Sequence, residues 1–382
     1  MTKLGYQQVR DEYQSVMSEH IQLTTGSTKS RPALILDLLG LAALNTSCLH
    51  TACESLVDAP TSAAVLYQLR QGWLNKRTLA EIEDELNDLL VARLPDRIRG
   101  SNPTVAIDLT FIPYHGQAQQ DENEVRRSTA KAGTTHFHVY ASAYIVRKHK
   151  RVTVALAYFQ ADEDLLGLLK RLLAYLNRLD IIPKRLLLDR QFCSVRVIRF
   201  LEARPWQSIL PVPARGQVLS DLKHQARRSH HRSYTMTSPT DGSVTFSLQV
   251  VCRYAQGRRG KHGIDRLLFA VLGQPWSGTP AQLADTYRRR FGIETGYRLM
   301  NSLRIRTTSR DPKLRLLFVV LAFLLSNLWL FLLWSVLTVP RRGGRYIDPD
   351  LFRLARFRDF FRDASREARR PVRSVSRPIS VF

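Results

Sequence analysis

Acidic residues are the scarce class in this chain of 382 residues, with 33 Asp and Glu against 57 Lys and Arg and a formal charge of +24. A surplus of that size argues for a polyanionic partner, because dense Lys and Arg gain from counterion release at phosphates. Cysteine is also rare. Four occur, at 48, 53, 193 and 252, without the paired spacing of a disulfide framework, and a reducing cytosol is expected. Cys48-Leu-His-Thr-Ala-Cys53 has no second ligand pair after it, so zinc is not expected. The opening Met-Thr-Lys-Leu-Gly-Tyr-Gln has no apolar run, and no secretory signal is expected there.

Long hydrophobic runs are few. Residues 316–339 form one, without a charge and flanked by Arg315 and Arg341–Arg342. Its length suits a transmembrane helix. A helix apolar on all sides and buried in a protein core has the same composition. Ser326 and Asn327 near its middle, and cations at both ends, give little orientation bias.

In a chain short of acids, the placement of three carries information. Asp108 sits within Thr-Val-Ala-Ile-Asp-Leu-Thr (104–110), a strand-forming run in which a central carboxylate is costly unless paired. Asp189 ends Arg-Leu-Leu-Leu-Asp-Arg (185–190), a buried-strand pattern that delivers the carboxylate to the strand's C-terminal edge. Glu294 lies in Tyr-Arg-Arg-Arg-Phe-Gly-Ile-Glu-Thr-Gly-Tyr-Arg (287–298), read as a basic helix. On one continuous helix, Tyr287, Arg290 and Glu294 are spaced i, i+3 and i+7 and share a face.

The chain divides into successive stretches. Residues 1–100 read as helical, with an apolar helix over 31–44, a helix over 62–70 after the Asp58-Ala-Pro-Thr turn, and one over 78–90 opened by a Thr78–Glu81 capping box. They fit a helix-turn-helix that reads DNA ends, and equally a bundle used only for packing. Residues 101–213 alternate between strands and helices. Strands over 104–110, 138–146 and 151–159, the last two joined by a tight linker at 147–150, precede an amphipathic helix (164–176). The Asp189 strand, a helix near 194–203 and a strand over 208–212 follow. Three antiparallel strands, a crossover helix and a parallel fourth strand give a ribonuclease H-like α/β order, which sets Asp108 beside Asp189. Residues 214–280 read as a β-rich insertion, with strands over 244–254 and 267–272 and a basic loop over 223–232. His230 and His231 in that loop suit DNA contact or simple solvation better than metal. Residues 281–340 return to the core with the Glu294 helix and the apolar helix. Residues 341–382 form a tail with twelve arginines between 341 and 377, suited to phosphate contact whether helical or disordered.

From about 100 to 345 the sequence resembles the DDE transposases of insertion sequences, specifically the group with a Tyr-Arg-Glu-Lys signature and a subgroup prominent in halophilic archaea. The residues that carry the likeness are Asp108, Ala-Lys-Ala-Gly-Thr-Thr-His-Phe-His (130–138), Leu-Asp-Arg-Gln-Phe (188–192), Tyr287, Arg290 and Glu294, with Thr308-Ser-Arg-Asp-Pro and Pro340-Arg-Arg-Gly-Gly-Arg beyond them. The signature lysine is absent, because position 301 is Asn. The strong cationic excess also departs from salt-adapted relatives.

The resemblance implies metal-dependent cleavage at the element's ends and strand transfer into target DNA. Asp108, Asp189 and Glu294 would hold two Mg²⁺ or Mn²⁺ ions, and hard oxygen ligands suit both metals. Tyr287, Arg290, Arg298, Arg304, Lys131 and Arg190 would contact DNA, with Arg298 or Arg304 standing in for the missing lysine. The implied partners are double-stranded terminal inverted repeats and target DNA, engaged by a homodimer in the cytoplasm, associated with the nucleoid, with no membrane. Two rivals use the same features. One is a ribonuclease H-like nuclease without strand transfer, and the other is a single-span membrane protein with a basic cytosolic domain.

Overall fold

The computed structural model describes residues 3–23, 32–96, 98–117, 124–146, 152–254, 263–342, 344–348 and 350–373. The linker at 147–150 lies outside them. The chain forms two compact units, one of Met1–Pro95 with Tyr297–Phe382 and the other of Asp96–Gly296.

The N-terminal helices belong to the first unit. They are α1 (Tyr6–His20), α2 (Pro32–Leu44), α3 (Leu49–Glu54), α4 (Ser62–Gly72) and α5 (Leu79–Leu90). Local chemistry starts two of them as expected. The Thr61 side chain accepts from the Ala64 amide at the head of α4, and Thr78 and Glu81 complete a capping box on α5.

The second unit is built on a sheet. Strand β1 (Thr104–Pro113) comes first, followed by the hairpin of β2 (Arg126–Lys131) and β3 (Thr134–Ile145). Ala132 and Gly133, both at positive φ, make its two-residue turn. Then come β4 (Val152–Tyr158), α6 (Leu165–Arg178), β5 (Arg185–Leu188), α7 (Val195–Glu202), β6 (Gln207–Pro211) and α8 (Gly216–Gln225). The long strands β7 (His230–Ser238), β8 (Gly242–Tyr254) and β9 (Ile264–Gly273) follow, then α9 (Pro280–Arg288) and the first residues of α10 (Gly292–Asn301), along which the chain leaves the unit at Gly296.

β1 runs antiparallel to β3 and parallel to β5, while β3 carries β2 and β4 along its other edge. The parallel step from β4 through α6 to β5 completes the ribonuclease H-like order, with the Asp108 strand β1 and the Asp189 strand β5 adjacent as expected. β6 lies parallel to β5. The same sheet then continues antiparallel through β9, β8 and β7, so the later strands extend it without forming a separate layer. The basic run expected as a loop over 223–232 is divided between the end of α8 and the start of β7. β7 carries the last three residues of that run into a segment rich in Ser and Thr and pairs with β8 as an edge strand exposed along much of its length.

The remaining elements rejoin the first unit. The apolar run becomes α11 (Pro312–Ser335), capped by the Asp311 side chain, and a short β10 (Val339–Arg341) and β11 (Gly344–Tyr346) pair follows before α12 (Leu354–Ala368). α11 is long and apolar enough to cross a membrane by length and composition, and 78% of its most apolar window is buried. It packs on α1, α2 and α5, the buried-core setting that its composition also allowed, and its Phe323 meets the Tyr297 ring of α10 edge-on. Asn327 donates to the Leu90 carbonyl at 3.1 Å, which settles one of its mid-helix polar groups inside the bundle.

α12 shows that much of the arginine-rich tail is a packed helix. Phe357, Phe361 and Ala364 are buried against α1 and α2, with the Tyr13 ring edge-on to Phe361. Beyond it, Arg369 reaches the fully buried Asp37 at 3.0 Å, and Arg10 grips the same carboxylate through two bonds of 3.0 and 2.9 Å.

Candidate active site

Asp108 stands midway along β1, opposite Ser142 of β3, with Val105, Ala106 and Ile107 buried before it. Asp189 is the first residue past the end of β5 and precedes a short 3-10 turn at Arg190–Phe192. Parallel pairing of β1 with β5, with Ile107 opposite Leu188, sets Asp108 in mid-strand level with Asp189 at the end of β5.

What joins them is Arg290. Its guanidinium donates to Asp108 Oδ2 at 2.8 Å through Nη1 and lies 3.4 Å from Asp189 Oδ1 through Nη2. The arginine is only 6% exposed, so a buried cation joins two partly buried carboxylates. Asp108 also accepts from the Leu109 amide at 2.9 Å. Burial opposes its charge more than Arg290 favours it, and the nearby Asp189 adds repulsion, so the Asp108 carboxyl is pushed up to about 6. Burial works against the Arg290 charge, and the two aspartates beside it outweigh that and hold it more firmly protonated.

Aromatic groups fix the guanidinium. It lies 5.4 Å from the ring centres of both Tyr287 and Phe291. The Tyr287 hydroxyl donates to the Leu188 carbonyl at 3.1 Å, next to Asp189. Burial raises the Tyr287 phenol and keeps it a neutral donor. The Tyr144 hydroxyl, from β3, reaches the Arg290 and Arg289 carbonyls at 2.9 and 3.2 Å. Tyr144 carries no signal in the sequence, because a tyrosine in an apolar strand is ordinary.

Glu294 is placed differently from the sequence expectation. The segment is not one continuous helix: α9 ends at Arg288, a 3-10 turn occupies Arg289–Phe291, and α10 begins at Gly292. A 3-10 turn has three residues per turn and changes the angular register assumed by i, i+3 and i+7 spacing. Glu294 is exposed in the first turn of α10. Among the described residues, no three His, Cys, Asp or Glu side chains gather closely enough to hold a metal ion. The structure therefore brings together Asp108 and Asp189, with Arg290 and Tyr287, and leaves Glu294 outside.

The other basic candidates are distributed. Lys131 is exposed at the β2–β3 turn, and Arg190 is exposed immediately after Asp189. Arg298 is exposed on α10 and Arg304 is half-buried beyond it; both belong to the helical unit. Asn301, at the signature lysine position, is exposed. In this conformation Tyr287 and Arg290 face inward, engaged with the Leu188 carbonyl and with the two aspartates.

Two carboxylates turned towards one buried cation offer the hard oxygen donors that magnesium or manganese takes. The place of positive charge exists and is taken by a guanidinium, so the donor set fits a divalent ion.

The model of the transposase DDE domain matches residues 99–328. A solved structure described as the cryo-EM structure of the piggyBac transposase synaptic complex with hairpin DNA is similar in fold, with a TM-score of 0.54 and 11% identity. That match covers 95% of this chain and 79% of the other. No curated protein matches the sequence. DDE transposases depend in general on divalent metal, in keeping with the carboxylate pair. The chain, matched over more than half its length, belongs to the transposase DDE domain family, DNA-cleaving and strand-transferring enzymes.

Proposed function

We propose that Asp108, Asp189 and Glu294 are the catalytic acids of this transposase and that they hold two Mg²⁺ or Mn²⁺ ions. The observation that carries the reading is the convergence of Asp108 and Asp189 on a single buried cation. Such ions, when bound, activate a water or 3′-hydroxyl and stabilise the leaving oxygen. The chain's own residues do the rest. β1 and β5 fix two carboxylates in a partly desolvated setting where charge interactions are strong. Glu294, three residues beyond the turn that carries Arg290, completes the set when that turn rearranges on DNA. Arg290, released from the aspartates, then grips a phosphate through its planar fork, with Tyr287 packed beside it.

Exposed Lys131 and Arg190, together with Arg298 and Arg304, supply further phosphate contacts, and one of the last two serves where the signature has lysine. The substrates on this reading are the element's terminal inverted repeats and target DNA. A homodimer acts in the cytoplasm, and the N-terminal helices contribute to end binding. The Tyr-Arg-Glu-Lys group of insertion-sequence transposases, in a subgroup prominent in halophilic archaea, is the kinship this implies.

The test is cleavage of DNA carrying the element's ends by Asp108→Asn, Asp189→Asn and Glu294→Gln. Each is expected to lose on the order of 10³-fold or more in rate while end binding in a gel shift is retained. Wild-type cleavage by any one of them removes that residue from the site.

A further inference from the structure

The Arg290 guanidinium is held from several sides. Phe291 and Tyr287 flank it, and the turn that carries it is anchored from behind, where the 4%-exposed Tyr144 donates to the Arg290 and Arg289 carbonyls. Tyr144 stands on β3 opposite Ala106 of β1, two positions before Asp108, so the anchor and its target share adjacent strands. Yet the fit is incomplete, since Arg290 Nε is buried without a hydrogen-bond partner. A buried donor left unmade is costly. The guanidinium is thus drawn in by the two carboxylates and is not seated at every donor. Arginine also stays charged at any working pH, so it competes with other cations for those oxygens at all times.

We propose that Tyr144 is a positioning residue, which by holding the Arg289–Phe291 turn keeps the Arg290 guanidinium between Asp108 and Asp189 as a resident cation competing with divalent metal for their oxygens. The inference rests on the reading that these aspartates are the metal-holding pair. It adds that metal affinity is set by a cation of the chain itself, through a hydroxyl that touches neither carboxylate. The resident cation offsets the repulsion between two partly buried like charges, which unpaired would be destabilising.

Binding of manganese(II) alone to the full-length, DNA-free protein, followed by electron paramagnetic resonance, tests this. Arg290→Gln should bind manganese about tenfold more tightly than wild type, since a like charge a few ångströms from the ion is removed. Tyr144→Phe, which deletes one oxygen and leaves the ring, should shift affinity the same way by a smaller factor. A purely structural hydroxyl would loosen the pocket, and Tyr144→Phe would then bind manganese more weakly. Unchanged or weaker binding by Tyr144→Phe or by Arg290→Gln, or no binding by either at millimolar manganese, overturns the proposal. Asp108→Asn and Asp189→Asn separate the two levels of the argument. If they abolish the binding while Tyr144→Phe and Arg290→Gln fail to strengthen it, the proposal falls and the metal-pair reading stands. If both bind as wild type does, the reading itself falls.

Discussion

At the scale of single residues, the main tension is a carboxylate placed where its charge is disfavoured. The Asp108 carboxyl is raised from 3.8 to about 6. Below about pH 4 it is protonated in both folded and unfolded chains, and its burial costs nothing through charge. As pH rises through about 6 the folded chain must ionise a group that the unfolded chain ionises freely, so that stability is lost. Asp108→Asn imitates the protonated form. In the presence of a chelator it should equal wild type in stability near pH 4 and exceed it by up to about 3 kcal/mol above about pH 7, following the size of the shift. Urea unfolding across that range checks this, and a variant advantage independent of pH would contradict it. The same substitution is expected to abolish cleavage, so the site trades stability for chemistry. Asp108 and Asp189 were legible in the sequence because a carboxylate inside or ending an apolar strand needs a reason to be there. Tyr144 was not, since its role depends on a turn of the chain about 145 positions later. The inward pairing of Arg290 was equally hidden, because arginine amid arginines reads as a surface for phosphate.

At the scale of elements, strand and helix patterns transferred well where a local rule decides. The Thr78–Glu81 box, the amphipathic helix that follows Asp164 and the strand β8 all appear where the sequence places them. Two elements were not legible. The 3-10 turn at Arg289–Phe291 interrupts the expected continuous helix, and the periodicity of 287, 290 and 294 gives no sign of it. The arginine-rich tail hides an amphipathic helix, because Phe357 and Phe361 are spaced for one buried face among many cations. Asp37 anchors this tail. It accepts from Arg10, from Gln14 at 2.5 Å and from Arg369, and its removal takes this buried acceptor from all three. Asp37→Ala should therefore destabilise the helical unit by about 3–5 kcal/mol, as breaking a buried ion pair does. Gly40 adds a steric lock, since a side chain there would collide with Phe361 of α12. Chemical unfolding monitored by tryptophan fluorescence measures the loss, and an Asp37→Ala variant within about 0.5 kcal/mol of wild type would show that the network contributes only at the surface scale.

At the scale of the whole molecule, the chain returns on itself. Its first 95 residues and its last 86 share one unit, while the sheet that carries Asp108 and Asp189 forms the other. Reading the sequence from one end to the other gives successive stretches, and only three-dimensional packing reveals that α12 belongs with α1 and α2. Overall charge is legible from composition alone and agrees with the DNA-acting family to which the chain belongs. What ties the molecule together functionally is the proposed use of the β1 and β5 carboxylates as metal ligands. A change of metal preference tests that use directly, because manganese tolerates sulfur ligands better than magnesium. Asp108→Cys and Asp189→Cys are assayed for end cleavage in each metal. The expected result is a loss on the order of 10³-fold in magnesium with substantial recovery in manganese for both variants. Cleavage in magnesium at the wild-type rate by either variant would contradict the assignment.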